Sequence, residues 1–138
     1  MKHYSKKVTV KSEQPRDYFA ITQQVSFVVA ESEIKNGIVL CYSGSNTSSI
    51  FIHIEDKNLL QDIDQCLHKF APEKPYSQYA FNVNRNDAAA HIKSVFLGRQ
   101  VSVSVNEGVL ELDEDDHIIF ADFDGGREKT ILVKIIGV

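Results

Sequence analysis

The sequence predicts an α+β fold: one compact domain over residues 1–138, mostly antiparallel β-sheet in a sandwich-like arrangement, with about three helices. Three observations predict it. Apolar residues recur at helical spacing in two stretches, and the alanine-rich run from Asn86 to Gly98 favours a third helix. From Gln100 onward, short alternating or apolar runs follow one another, separated only by turn formers. Consecutive strands of that kind leave no room for crossovers, so they pair antiparallel. A chain of 138 residues suffices for one core and buries roughly two-thirds of its unfolded surface.

The elements follow in order. Residues 3–11 alternate, with Tyr4, Lys6, Val8 and Val10 on one side, as a strand does, and the lysines suit a sheet edge. Pro15 closes that segment. From Phe19 to Ile34, Ile21, Val25, Val28 and Val29 recur at helical spacing, with Thr22 as N-cap and Asn36-Gly37 as the stop. Gly37 to Tyr42 is a short apolar run, read as a buried strand, and Ser43 to Ser49 is loop-like. Ile50, Ile52 and Ile54 mark the next strand. Asp56 or Asn58 then caps a helix whose buried stripe is Leu59, Ile63, Cys66, Leu67 and Phe70. Residues 72–83 read as irregular. Asn86 caps the third helix and Gly98 ends it. Strands over 100–105, 109–112, 117–123 and 129–136 complete a meander, with the first turn at Asn106-Glu107-Gly108.

Bulk composition excludes several function classes. With 15 basic and 19 acidic residues the net charge is −4, against a basic nucleic-acid-binding face. No apolar window is long enough for a membrane span, and no signal-peptide pattern follows Met1. Cys41 and Cys66 are the only thiols. Both fall on apolar faces and read as reduced, buried residues of a cytoplasmic protein.

Few residues carry candidate chemistry. His91, beside Lys93 and Ser94, suits a proton carrier, a phosphate donor or a metal ligand, or else a capping or surface histidine. No HExxH or CxxC spacing declares a metal site. Ser43-Gly44-Ser45-Asn46-Thr47-Ser48-Ser49 reads as an anion-cradling loop or an ordinary flexible one, and Lys93 and Arg99 would supply cations if the third helix packs nearby. The Asp113–Asp116 run offers oxygen ligands for a divalent cation, or a solvated hairpin tip.

From Asn86 to Gly137 the chain resembles the YjbQ-type family, also called the secondary thiamine-phosphate synthase family. Its Asn-Ala-x-x-His-Ile/Leu-Lys-Ser motif corresponds to Asp87-Ala88-Ala89-Ala90-His91-Ile92-Lys93-Ser94, followed by Leu97-Gly98-Arg99. Gly108-Val109-Leu110-Glu111-Leu112 and Ala121-Asp122-Phe123-Asp124-Gly125, with Arg127, match later segments. A looser match sets Asn46-Thr47-Ser48-Ser49 and Glu55 on the family's His-Thr-Ser-Ala…Asn-Glu segment.

The resemblance implies a compact α+β domain that assembles as a homotrimer. It implies a histidine pocket for a divalent metal ion or a phosphorylated small molecule, and chemistry that joins a pyrimidine pyrophosphate to a thiazole phosphate. Carried onto this chain, His91 would be the catalytic residue and metal ligand. Asn46, Thr47, Ser48, Lys93, Ser94 and Arg127 would hold an anion, with Glu55 and Asp122 as carboxylate partners. Three departures stand out: Asn46 replaces a histidine, Tyr76-Ser77-Gln78-Tyr79 lacks another, and Asp113–Asp116 replaces Gly-Thr-Trp-Gln. The expectation is therefore a trimeric small-ligand-binding or non-catalytic paralogue whose histidine pocket is largely lost. The alternative is a weak thiamine-phosphate synthase-like enzyme.

Overall fold

A strand buried on one face alternates apolar and polar residues, whereas a strand covered on both faces is apolar throughout. Both kinds occur here, and they sort the chain into layers. A computed structural model describes residues 1–138. Its elements are β1 (Lys2–Lys11), β2 (Asp17–Ala20), α1 (Thr22–Ser32), β3 (Gly37–Ser43), β4 (Ser48–Ile54), α2 (Lys57–Phe70), α3 (Ala88–Leu97), β5 (Gln100–Asn106), β6 (Val109–Leu110), β7 (Asp116–Asp122) and β8 (Glu128–Gly137). Two short 3-10 turns, Tyr76–Gln78 and Ala80–Val83, precede α3.

All strand pairing is antiparallel, in a five-stranded sheet of order β1-β8-β3-β5-β6 and a three-stranded sheet of order β2-β7-β4. The inward residues of β8 (Ile131, Val133, Ile135) and β3 (Val39, Cys41) form one core with Ile50, Ile118, Phe120 and the α1 valines Val25, Val28 and Val29. On the other side of the smaller sheet, Ala121 and Phe123 pack with Ala90 of α3, and with Tyr18, Phe51 and Leu67. The layers are thus large sheet, small sheet, then α2 and α3. The α+β, antiparallel, sandwich-like expectation holds.

The terminal meander does not. β7 leaves the five-stranded sheet and runs between β2 and β4, while β8 returns beside β1 and β3. Its run Ile118-Ile119-Phe120-Ala121 is wholly buried, because this strand is covered on both faces. The helix expected from Phe19 begins later, since residues 17–20 form β2, where Phe19 packs on Phe120 at 5.5 Å between ring centres. Thr22 does not cap α1 through its side chain. Its hydroxyl instead accepts from Ile118 N–H at 3.0 Å and lies 3.1 Å from His117 Nδ1. Asp56 does cap α2, accepting from Leu59 N–H at 2.9 Å. For α3, Asn82 rather than Asn86 accepts from the first-turn Ala88 N–H, at 3.1 Å.

Gly37 faces Gly137 across β3 and β8, and a Cβ on Gly37 would sit 2.0 Å from the Ile136 carbonyl oxygen. Only glycine permits that approach. No helix is long and apolar enough to cross a membrane.

The stripe of α2 is rotated from the one expected. Leu60 is buried, with Ile63, Asp64 and Leu67 beside it, while Cys66 and Phe70 are exposed. The two cysteines therefore differ. Burial drives the Cys41 thiol up to about 12, so it stays protonated and unreactive, whereas Cys66 is open to solvent. Titration of the native protein with an aromatic disulfide reagent at pH 8 should show one fast thiol. Substituting Cys66 by Ser should abolish the fast phase; a fast phase that survives would contradict this placement.

Candidate functional site

Residues three, four and seven apart share a helix face. On α3 that rule puts His91, Ser94, Val95 and Gly98 together, and they line a cleft of about 430 Å³. The remaining walls are Asn46, from the loop before β4, and Arg99, at the junction of α3 and β5. Gly98 turns the chain at φ +82°, ending the helix and placing Arg99 beside the cleft. Asn46, His91 and Ser94 are thus brought together, with Arg99 as their cation.

His91 is held from two sides. Its Nε2–H donates to Asp87 Oδ2 at 3.2 Å, one helical turn away. Phe81 meets the imidazole edge to face, with ring centres 5.1 Å apart. Arg85 ties both neighbours, donating to Asp87 Oδ1 at 3.0 Å while its guanidinium lies 4.3 Å from the Phe81 ring centre. Burial works against ionisation of Asp87, but the bonds from Arg85 and His91 outweigh it and hold the carboxyl below the usual range. His91 also lines an apolar cavity of about 340 Å³ with Tyr79, Ala80, Phe81, Ala88 and Ile92. The imidazole stands between a polar cleft and an apolar one.

Arg99 donates one bond to the Tyr42 hydroxyl at 3.0 Å and lies 5.3 Å from that ring's centre. It makes no ion pair. The other three arginines all do: Arg16 with Asp64 and Glu73, Arg85 with Asp87, and Arg127 with Asp124. A guanidinium has five N–H donors, so most of those on Arg99 are unspent at the cleft.

The other sequence-predicted residues lie elsewhere. Thr47 and Ser48 are buried beneath the loop rather than in the cleft. The Ser48 hydroxyl pairs with that of Ser43 at 2.6 Å, and the Thr47 hydroxyl with that of Ser45 at 3.0 Å. Asp122 is not a partner of His91. It forms a buried ion pair with Lys129, accepts from Ser12 Oγ at 2.7 Å and from Asp124 N–H at 3.0 Å, and Lys129 also donates to Thr47 at 3.1 Å. Glu55 accepts from Ala20 N–H at 3.0 Å and lines neither cavity containing His91. Arg127 is exposed and paired with Asp124. Asp113, Glu114 and Asp115 form an exposed turn before β7.

Lys93 departs furthest from its expected anion-binding role. It is 1% exposed, sits on a different face of α3 from His91, and makes no hydrogen bond or ion pair. Its ammonium lies 5.8 Å from the Phe123 ring centre. Burial pushes its pKa down and Arg16 adds to that, against the opposing pull of Glu73 and Asp64.

The divalent metal that the family resemblance implies does not fit these residues. No three His, Cys, Asp or Glu side chains are arranged to hold a metal ion. The one such group bonded to His91 is Asp87, and Asn46 stands where the resemblance places a second histidine. Three protein ligands are the usual minimum for a zinc-type centre.

Comparison with known proteins bears on identity. The family model for UPF0047 protein YjbQ-like matches residues 6–138. A UPF0047 protein of Methanothermobacter thermautotrophicus is 33% identical over 99% of this chain and 94% of its own length. The Bacillus subtilis UPF0047 protein YugU is 29% identical over 96% of this chain and 98% of its own. Among solved structures, a YbjQ-like protein of unknown function from Sulfolobus solfataricus P2 superposes with a TM-score of 0.94, at 30% identity and 99% coverage of both chains. A YjbQ/UPF0047 protein of Clostridium acetobutylicum superposes with a TM-score of 0.86, at 27% identity, covering 94% of this chain and 98% of that one. A match over nearly the whole length, in sequence and in fold, leaves one conclusion: this chain belongs to the YjbQ-like UPF0047 family.

Proposed function

We propose that this chain is a ligand-binding member of its family that holds a phosphorylated small molecule at the His91 cleft, in place of the family's histidine pocket. The observation that carries the reading is the unpaired guanidinium of Arg99 among Asn46, Ser94 and His91. An arginine fork matches phosphate geometry, and the Asn46 amide and Ser94 hydroxyl supply further donors. The unrelieved acidity of the Asp113–Asp116 run lies away from this cleft and does not oppose an anion there.

Assembly as a homotrimer belongs to the same proposal. Val95 and Phe96 on α3 are 80% and 69% exposed, and Val83 is 82% exposed. Apolar exposure of that extent suits burial against further copies of the chain. Light scattering should then report a mass near three chains.

Calorimetric titration with inorganic phosphate tests the ligand. Charge-assisted hydrogen bonds of this kind are each worth about 1.5–3 kcal/mol, so Arg99→Ala should weaken phosphate by about tenfold or more. Equal affinity in the two proteins would remove the reading.

The grip of Asp87 on His91 favours a second reading, in which His91 moves a proton in a thiamine-phosphate synthase-like reaction. Formation of thiamine phosphate from its two phosphorylated precursors, lost in His91→Ala, would establish it. No product from either protein would dismiss it.

A further inference from the structure

A phosphate in the His91 cleft, on which this inference rests, needs a counter-charge. In the chemistry the family resemblance implies, a divalent metal held by histidines supplies it. We infer that the His91 cleft of this chain binds its anion without a metal, with the Arg99 guanidinium, positioned by Tyr42, taking the metal's electrostatic part.

Four observations carry this. First, the polar groups lining the cleft are an amide (Asn46), a hydroxyl (Ser94), an imidazole (His91) and a guanidinium (Arg99), with no carboxylate or thiolate. A hard cation such as Mg²⁺ is held through carboxylate oxygens, and a softer one through several imidazoles or thiolates. Neither set is present.

Second, His91 is already engaged. Its Nε2 is bonded to Asp87, and Asp87 is shared with Arg85. Recruiting Asp87 to a metal would break the Arg85 pair and release the contacts Arg85 and His91 make with Phe81. Asp87 itself stands where the family pattern has asparagine. The substitution ties the imidazole to a carboxylate and leaves only Nδ1 for a ligand.

Third, a fixed positive charge on the cleft wall repels a dication and attracts an anion. Fourth, Arg99 is preorganised. The Tyr42 hydroxyl bond and the ring beside the guanidinium fix its direction and use one donor only. Little rotamer freedom is then left to lose when the anion arrives.

The experiment is a phosphate and pyrophosphate titration of the full chain by calorimetry. It is run with EDTA, with Zn²⁺ and with Mg²⁺, on the native protein, Arg99→Ala, Arg99→Lys and Tyr42→Phe. Folding of each variant is confirmed by its amide NMR spectrum. The expected result is phosphate affinity equal within about twofold in all three buffers. Arg99→Ala should lose about tenfold or more, Arg99→Lys should recover part of it, and Tyr42→Phe should lose a few-fold. Binding that appears only with metal, or tightens more than tenfold with it, overturns the inference while leaving the phosphate site in place. Binding absent from every buffer overturns both this inference and the phosphate-binding reading beneath it.

Discussion

Asp122→Ala should destabilise the protein by about 3–5 kcal/mol, the largest effect of any single polar substitution here. Asp122 is fully buried and Lys129 nearly so, on facing strands in the core between the two sheets. Beyond Lys129, the carboxylate satisfies the Ser12 hydroxyl and the Asp124 N–H. Removing it leaves the Lys129 ammonium in the core with only the Thr47 hydroxyl at 3.1 Å. A buried charge without its counter-charge is far costlier than the intact pair is beneficial. Replacing both partners by apolar residues of similar size, Asp122→Leu with Lys129→Met, should therefore recover most of the loss. Urea denaturation of the three proteins measures this. A single variant within about 1 kcal/mol of native would show that the pair is not closed to water.

Lys93→Met should do the opposite and stabilise the protein by about 1–3 kcal/mol at neutral pH. Lys93 is 1% exposed as a residue and its ammonium has no hydrogen-bond or ion-pair partner, so folding strips most of its water without replacing it. Its folded pKa lies below the ordinary lysine value, first through burial and then through Arg16. Below that folded pKa both states carry the proton and the penalty is present in full. As pH climbs from the folded pKa toward 10.5, the unfolded state holds more protons and stability rises. Methionine has no proton to exchange, so the variant should lack this rise and its advantage should shrink at alkaline pH. Stability curves at pH 7 and pH 10 decide the matter, and a variant less stable than native at pH 7 would contradict the account. An unpaired buried lysine kept at such a cost is the kind of local violation expected where a chain serves something besides stability.

How far the sequence alone reaches is clear from particular residues. Amphipathic runs locate α1, α2 and most strands, because burial on one face writes a period into the sequence, while α3 is legible from its alanines. β2 escaped because four residues are too few for a period, and its Tyr18 and Phe19 sit at the edge of a helical-looking run. The α2 stripe was misplaced by the apolar content of Cys66 and Phe70. The true inward face includes Asp64, which is tolerated there because Arg16 grips it at 2.8 and 3.1 Å and Tyr18 donates to it at 2.9 Å. A charged residue made apolar-compatible by distant partners leaves no local signal.

The same distinction governs the site. His91 and Ser94 share a face by helical spacing, so their pairing was legible. That Asn46 reaches them depends on α3 packing against β4, which brings residues about 45 apart in the chain together. Lys93 and Arg99 looked equivalent as cations. The helix turns Lys93 into the core and Gly98 releases Arg99 to the cleft, so only one of them can meet a ligand. The family resemblance makes Asp122 a carboxylate partner for His91. Its true partner, Lys129, is seven residues away on β8, the strand that joins the other sheet.

The most direct measurement is a residue-resolved NMR titration of ¹⁵N-labelled protein with inorganic phosphate. Saturable shifts are expected at Asn46, Ser94, Gly98 and the Arg99 side-chain Nε, with His91 following and Lys93 silent. Shifts centred instead on Asp124 to Arg127, or no saturable shift at all, would contradict an anion site built on α3 and Arg99.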